Sequence, residues 1–130
     1  MDSNTPKIKE IKVFIPCSPN GIEESINFYQ DLGFSTITRT DTICSIDTHQ
    51  GFKFIIRNRY NKDLAENLML QIWVDNLAAW ELHLKTLNLE EKYPNVKVSK
   101  ASDEPWGWRI IYVWDPAGVL LHIGQPLSEI

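Results

Sequence analysis

The chain of 130 residues carries 13 Lys and Arg against 17 Asp and Glu, a formal charge of −4, and is 43% hydrophobic. That length predicts one domain, spanning 1–130, which buries roughly two thirds of its unfolded surface. The acidic balance argues against nucleic acid, and no apolar run approaches the ~20 residues that cross a bilayer, so neither nucleic acid nor membrane is an expected partner.

Residues 1–6 are polar and show no basic-then-apolar leader, which predicts a cytoplasmic protein. Residues 8–16 read as the first strand. Ile11, Val13 and Ile15 would face helices, and Glu10, Lys12 and Phe14 the other side, where Glu10 and Lys12 can pair. Asn20 followed by Glu23 predicts a capping box. Ile22, Ile26 and Tyr29, with Phe28 beside them, form an apolar stripe at helical spacing, and Gly33 ends that helix. Cys17 and Cys44 lack CxxC spacing, which predicts free, buried thiols in a reducing compartment.

Residues 34–39, 42–48 and 52–57 read as three strands, with bends at Asp41 and His49-Gln50-Gly51. Residues 58–63 read as a charged linker. Residues 68–74 form the next strand. Asp75 or Asn76 then caps a helix whose buried stripe is Leu77, Trp80, Leu84 and Leu87, with His83 on its exposed side. A break at 93–95 leads to a short strand at 96–100.

Two strands close the chain, joined at Asp115-Pro116-Ala117-Gly118. On the last strand Val119, Leu121 and Ile123 share one face, and Leu120, His122 and Gly124 the other. On the strand before, Arg109, Ile111 and Val113 alternate with Trp108, Ile110, Tyr112 and Trp114. One face is plain packing surface; the other carries large aromatics and an imidazole. A strand, a capped helix and three strands thus occur twice, at about 7–57 and 66–125.

The run Pro105-Trp106-Gly107-Trp108-Arg109, a strand, Asp115-Pro116-Ala117-Gly118 and a final strand resembles the vicinal oxygen chelate superfamily. Within it, the match is to bleomycin resistance proteins and other glyoxalase-like proteins. Ser25-Ile26-Asn27-Phe28-Tyr29-Gln30-Asp31-Leu32-Gly33-Phe34 resembles the family's first helix end and following strand. The resemblance implies an α+β fold of two βαβββ modules forming a cupped mixed β-sheet with helices on the outer face. It also implies a homodimer with crevices between protomers, in which the first strand can be exchanged.

Enzymes of that superfamily hold a divalent metal in the cup, and the resemblance places the ligand positions on Glu10, on Met69 with Gln71 next along, and on His122. Glu10 and His122 could both bind a metal, but the Met69 thioether suits hard divalent ions poorly. His49 and His83 lie elsewhere. The expectation is therefore no metal and no cofactor. Phe14, Trp73, Trp108, Tyr112 and Trp114 are expected to line the cup instead, with Trp106 matching the family's Pro-Trp-Gly tryptophan. Planar heteroaromatic ligands stack on such rings, and cations gain from their faces. Ser25 has no evident His and acid partners and supports no nucleophile.

The expected function is metal-independent binding and sequestration of a small aromatic or cationic molecule, bleomycin resistance protein-like, with Glu10 and His122 as polar anchors. A metal-dependent glyoxalase-type lyase, isomerase or thiol transferase is the alternative, and a non-catalytic dimeric interaction module a third.

Overall fold

The computed structural model describes residues 4–130. Its first half runs β1 (Phe14–Pro16), α1 (Ile22–Leu32), β2 (Ser35–Arg39), β3 (Ile43–Asp47) and β4 (Lys53–Arg57). A short helix, α2 (Lys62–Glu66), leads to β5 (Met69–Trp73), α3 (Leu77–Leu87) and α4 (Leu89–Lys92). Four strands follow: β6 (Lys97–Val98), β7 (Ser102–Asp103), β8 (Trp108–Trp114) and β9 (Leu120–Pro126).

The strands make two sheets. The first has the order β1-β4-β3-β2; the second has the order β5-β9-β8-β6, with β7 also pairing β8. Each contains one parallel pair, β1 with β4 and β5 with β9, and is otherwise antiparallel. Alternation sorts the faces of β8 and β9 as the sequence predicts, and sorts β3 and β4 in the same way. Ile15, Cys44, Ile46, Phe54 and Ile56 of the first sheet, and Ile111, Val113, Leu121 and Ile123 of the second, are buried in one core with the helices.

The local differences from the sequence reading have identifiable causes. The first strand is three residues long rather than nine. Residues 7–13 are exposed along their length, and Ile11 is 83% exposed instead of facing a helix. Glu10 and Lys12 do pair there, 3.5 Å apart. The Asn20 capping box does not form, because Gly21 takes the N-cap position and puts Asn20 outside the helix. Ser18 organises that corner instead: its Oγ donates to Glu24 Oε1 at 2.7 Å and accepts from the Asn20 N–H at 3.0 Å. Glu23 turns outward to Arg39. Gly33 does end α1, at φ 114, with its N–H directed at the Gln30 and Tyr29 carbonyls. Asn76, not Asp75, caps α3 by accepting from the Ala79 N–H. The predicted linker ends inside α2, a helix that Asn61 caps and that runs on to Glu66. His83 is half-buried, not exposed: its Nε2 lies 2.8 Å from the Leu32 carbonyl and its ring stands edge-on to Trp80.

Helix α1 is buried well beyond one stripe, with Ser25, Phe28 and Leu32 enclosed as well as Ile22, Ile26 and Tyr29. It packs on its own sheet on one side and on the second half of the chain on the other. Phe28 meets Tyr93 edge-on, Asp31 accepts from the Tyr93 hydroxyl at 2.6 Å, and Tyr29 reaches Asp115.

That last contact is fully buried. The Tyr29 hydroxyl donates to Asp115 Oδ2 at 2.7 Å, while Oδ1 accepts from the N–H groups of Ala117, Gly118 and Val119 at 2.8, 3.1 and 3.0 Å. Burial pushes the Asp115 carboxyl up to about 6, and its hydrogen bonds to Tyr29 and the turn pull it back down. Unfolded aspartate titrates near ~4. The folded chain therefore holds this proton more tightly than the unfolded chain. Asp115's contribution to stability is complete below about pH 4 and is lost as the pH rises through about 6. Urea unfolding between those limits should show stability falling by about 2–3 kcal/mol from this group, a slope that Asp115→Asn flattens. Tyr29→Phe should cost about 1–3 kcal/mol at neutral pH, because it leaves one carboxylate oxygen buried without its donor. An unchanged unfolding midpoint in Tyr29→Phe would remove the contact from any structural role.

Candidate functional site

The face of the second sheet turned away from the helices collects most of the side chains that the sequence singles out. Register places them in rows. Gln71, His122 and Tyr112 stand side by side across β5, β9 and β8. The next row is Trp73, Gly124 and Ile110; on the other side lies Met69, Leu120 and Trp114. Trp108 stands opposite Pro126 at the end of the pair. Neighbours in such rows share a face, so this is one continuous surface.

Gly124 shapes its middle. A Cβ there would lie 3.0 Å from Ile110 Cγ1, 3.1 Å from the Arg109 carbonyl oxygen and 3.3 Å from Trp108 Cε3. The missing side chain lets Trp73 and Trp108 meet edge to face, with ring centroids 5.1 Å apart. Trp73 Nε1 donates to Glu129 Oε1 at 3.1 Å, which leaves the indole 59% exposed.

The polar centre of the face is His122. Its ring packs edge-on against Tyr112 at 5.0 Å. Its Nε2 is buried and has no hydrogen-bond partner among the described residues. Tyr112 continues to Trp114, 6.2 Å away, and to the Glu104 carboxylate; partial burial and that carboxylate push the phenol up. Glu104 is fixed by the Ser102 hydroxyl at 2.8 Å. Arg109, on the helix side as alternation predicts, is held by both oxygens of Asp103 at 2.6 and 3.2 Å.

Of the ten residues that the sequence nominates, seven share this face: Met69, Gln71, Trp73, Trp108, Tyr112, Trp114 and His122. Trp106 is 61% exposed in the loop before β8. Phe14 lies on the first sheet, 49% exposed, across from Ile55. Glu10 precedes that strand and is paired with Lys12. The two most prominent cavities among the described residues lie elsewhere. One of about 600 Å³ runs between α3–α4 and residues 98–101, and one of about 230 Å³ sits at the start of α3. The aromatic face is an open surface.

A divalent metal, which the fold family implies, does not fit these donors. Beside His122 stand an amide and a phenol, with a thioether in the next row. Among the described residues no three His, Cys, Asp or Glu side chains converge as a metal would need.

Two four- and five-stranded sheets built from a repeated strand-helix-strand order, with helices on one face of each, define the fold of the bleomycin resistance and glyoxalase-type proteins. Solved structures place the chain within it. A bleomycin-binding protein complexed with bleomycin superposes with a TM-score of 0.75 at 18% identity, over 91% of this chain and 98% of that one. An antibiotic-binding protein from Streptomyces sp. CB03234 gives 0.68 at 19% identity, over 94% and 99%. A lactoylglutathione lyase from Agrobacterium tumefaciens gives 0.64 at 12% identity, over 92% and 95%. No family model and no curated protein sequence matches the chain.

Because a Cβ at position 124 would press on backbone as well as on side chains, Gly124→Ala should destabilise the chain by about 1–3 kcal/mol. It should also move Trp108 away from Trp73, changing tryptophan emission in the folded state. Wild-type stability with an unaltered spectrum would contradict this account of the glycine.

Proposed function

We propose that the chain binds and holds a small aromatic or cationic molecule against the open face of its second sheet, without transforming it. The observation that carries the reading is His122 Nε2, buried without a partner in the middle of an aromatic surface. A buried polar atom left unsatisfied costs about 1–3 kcal/mol. A ligand that displaces the side chains covering this nitrogen and supplies its missing partner recovers that cost beside rings on which it can also stack. Each stacking contact adds roughly 0.5–1.5 kcal/mol beyond area burial. A cationic group gains from the indole faces and from Glu104, beside Tyr112. That one solved protein of this fold was crystallised with bleomycin supports the same class of ligand.

The unit that binds is a homodimer in this reading. The open face of the first sheet presents Phe14 and Ile37, each about half exposed, apolar side chains suited to roof the aromatic face of a second copy. Glu10, which stands ahead of β1, would then reach the ligand from that second copy. Donor chemistry around His122 argues against the metal-dependent lyase or isomerase alternative.

Titration of intrinsic tryptophan fluorescence with metal-free bleomycin should give saturable quenching. His122→Ala should weaken binding roughly 5- to 150-fold, the factor equivalent to about 1–3 kcal/mol. Trp73→Ala should remove most of the quench. Sedimentation should return twice the chain mass. A flat titration at micromolar protein, or His122→Ala binding as the parent does, would sink the reading.

A further inference from the structure

A second constellation lies on the first sheet, far in register from His122. Ser35 opens β2 and pairs directly with Asp47 at the end of β3. His49 follows two residues later, in the turn before β4. Its Nε2 lies 2.5 Å from Ser35 Oγ, and its Nδ1 is 3.9 Å from Asp47 Oδ2. A hydroxyl, an imidazole and a carboxylate thus stand in the order that activates a serine nucleophile.

The turn is built to hold that order. His49 has φ 65, a left-handed conformation uncommon for a residue with a side chain. Asp47 keeps it there by accepting from the His49 N–H at 2.9 Å, and the Thr48 N–H and hydroxyl both close on the Phe52 carbonyl, at 3.0 and 2.9 Å. At 3.9 Å the Asp47 carboxylate is beyond hydrogen-bond reach of Nδ1; Nε2, at hydrogen-bond distance from Ser35 Oγ, can accept its proton in the tautomer protonated at Nδ1. The imidazolium that results would sit beside a negative charge.

We propose that Ser35, His49 and Asp47 form an acyl-transfer site for small activated aryl esters. The side chains are solvent-facing, and neither of those two cavities includes them. The site therefore takes substrates that need no deep pocket, and Phe52, 72% exposed in the same turn, offers a flat surface for an aryl group. Ser35 Oγ attacks the ester carbonyl carbon while its proton passes to His49 Nε2. The carbon–oxygen bond to the aryl group breaks, and the phenol leaves with that proton. Water then attacks acyl-Ser35, gives a proton to Nε2, and the carboxylic acid departs as Ser35 Oγ regains its hydrogen. Asp47 is the positioning residue of the set.

The test uses the full chain and 4-nitrophenyl acetate. A rapid release of nitrophenol, at most one equivalent per chain, should accompany an acetyl group found on Ser35 by peptide mass spectrometry. Ser35→Ala should abolish both. His49→Gln should slow acylation by about 100-fold or more. Asp47→Asn should shift the pH profile of acylation, a change that a merely structural role would not produce. All three side chains are at the surface, so circular dichroism should report parent-like folding. No burst, a burst that survives Ser35→Ala, or acetyl groups confined to lysines would overturn the proposal.

Discussion

The contact between Tyr29 and Asp115 is the constraint from which the rest of the molecule follows. It joins two residues 86 positions apart, one on the first helix and one in the last turn, at a point from which water is excluded. One carboxylate does two jobs. Its Oδ2 locks the first half of the chain onto the second, and its Oδ1 gathers three consecutive N–H groups into a turn. Each buried donor in that turn would otherwise lack an acceptor. The cost is a desolvated acid. The four hydrogen bonds offset it only partly, since the carboxyl still titrates near 6.

Fixing that turn fixes the register of β8 against β9, and register decides what the open face contains. With Trp114 across from Leu120, Tyr112 must fall across from His122 and Ile110 across from Gly124. A slip of β9 by one residue would turn His122 into the helix-packed core, away from Tyr112, and bring Leu121 and Ile123 out to solvent. The aromatic surface is thus a consequence of where Asp115 stands. The parallel pairing of β5 completes it by adding Met69, Gln71 and Trp73 to the same rows.

Much of this was legible in the sequence because it is written in period-two alternation and turn chemistry. The faces of β8 and β9 could be read residue by residue, as could the place of Arg109 on the helix side of the sheet and the end of α1 at Gly33. What was not legible depends on contacts between elements. Ile11, Val13 and Ile15 alternate as a buried strand would, yet within one chain only Ile15 is covered. Asn20 and Glu23 have capping-box spacing, but Gly21 places the helix start one residue later. His83 looked solvent-facing on its own helix; the end of α1 lies against it. Ser35 and His49 are 14 residues apart, and only the antiparallel pairing of β2 with β3 brings them together.

The two sheets resemble each other in topology and differ in what their open faces expose. The first presents aliphatic and charged side chains, with a hairpin that carries hydroxyl, imidazole and carboxylate in sequence. The second presents rings around one unsatisfied nitrogen. An exposed surface of that kind is costly to a free monomer, because Met69, Trp73 and Phe14 are all about half exposed or more and none gains from water. A fold that merely needed stability would bury or replace them. Keeping them outside makes sense if something covers them, and the unpartnered His122 nitrogen narrows what that something is. The nitrogen is already shut off from water in the single chain, and a purely apolar cover would leave it without a partner. The cover we propose brings a hydrogen-bonding group to the centre of the rings, which a second protein sheet alone is poorly shaped to do and a small polar heteroaromatic molecule does readily.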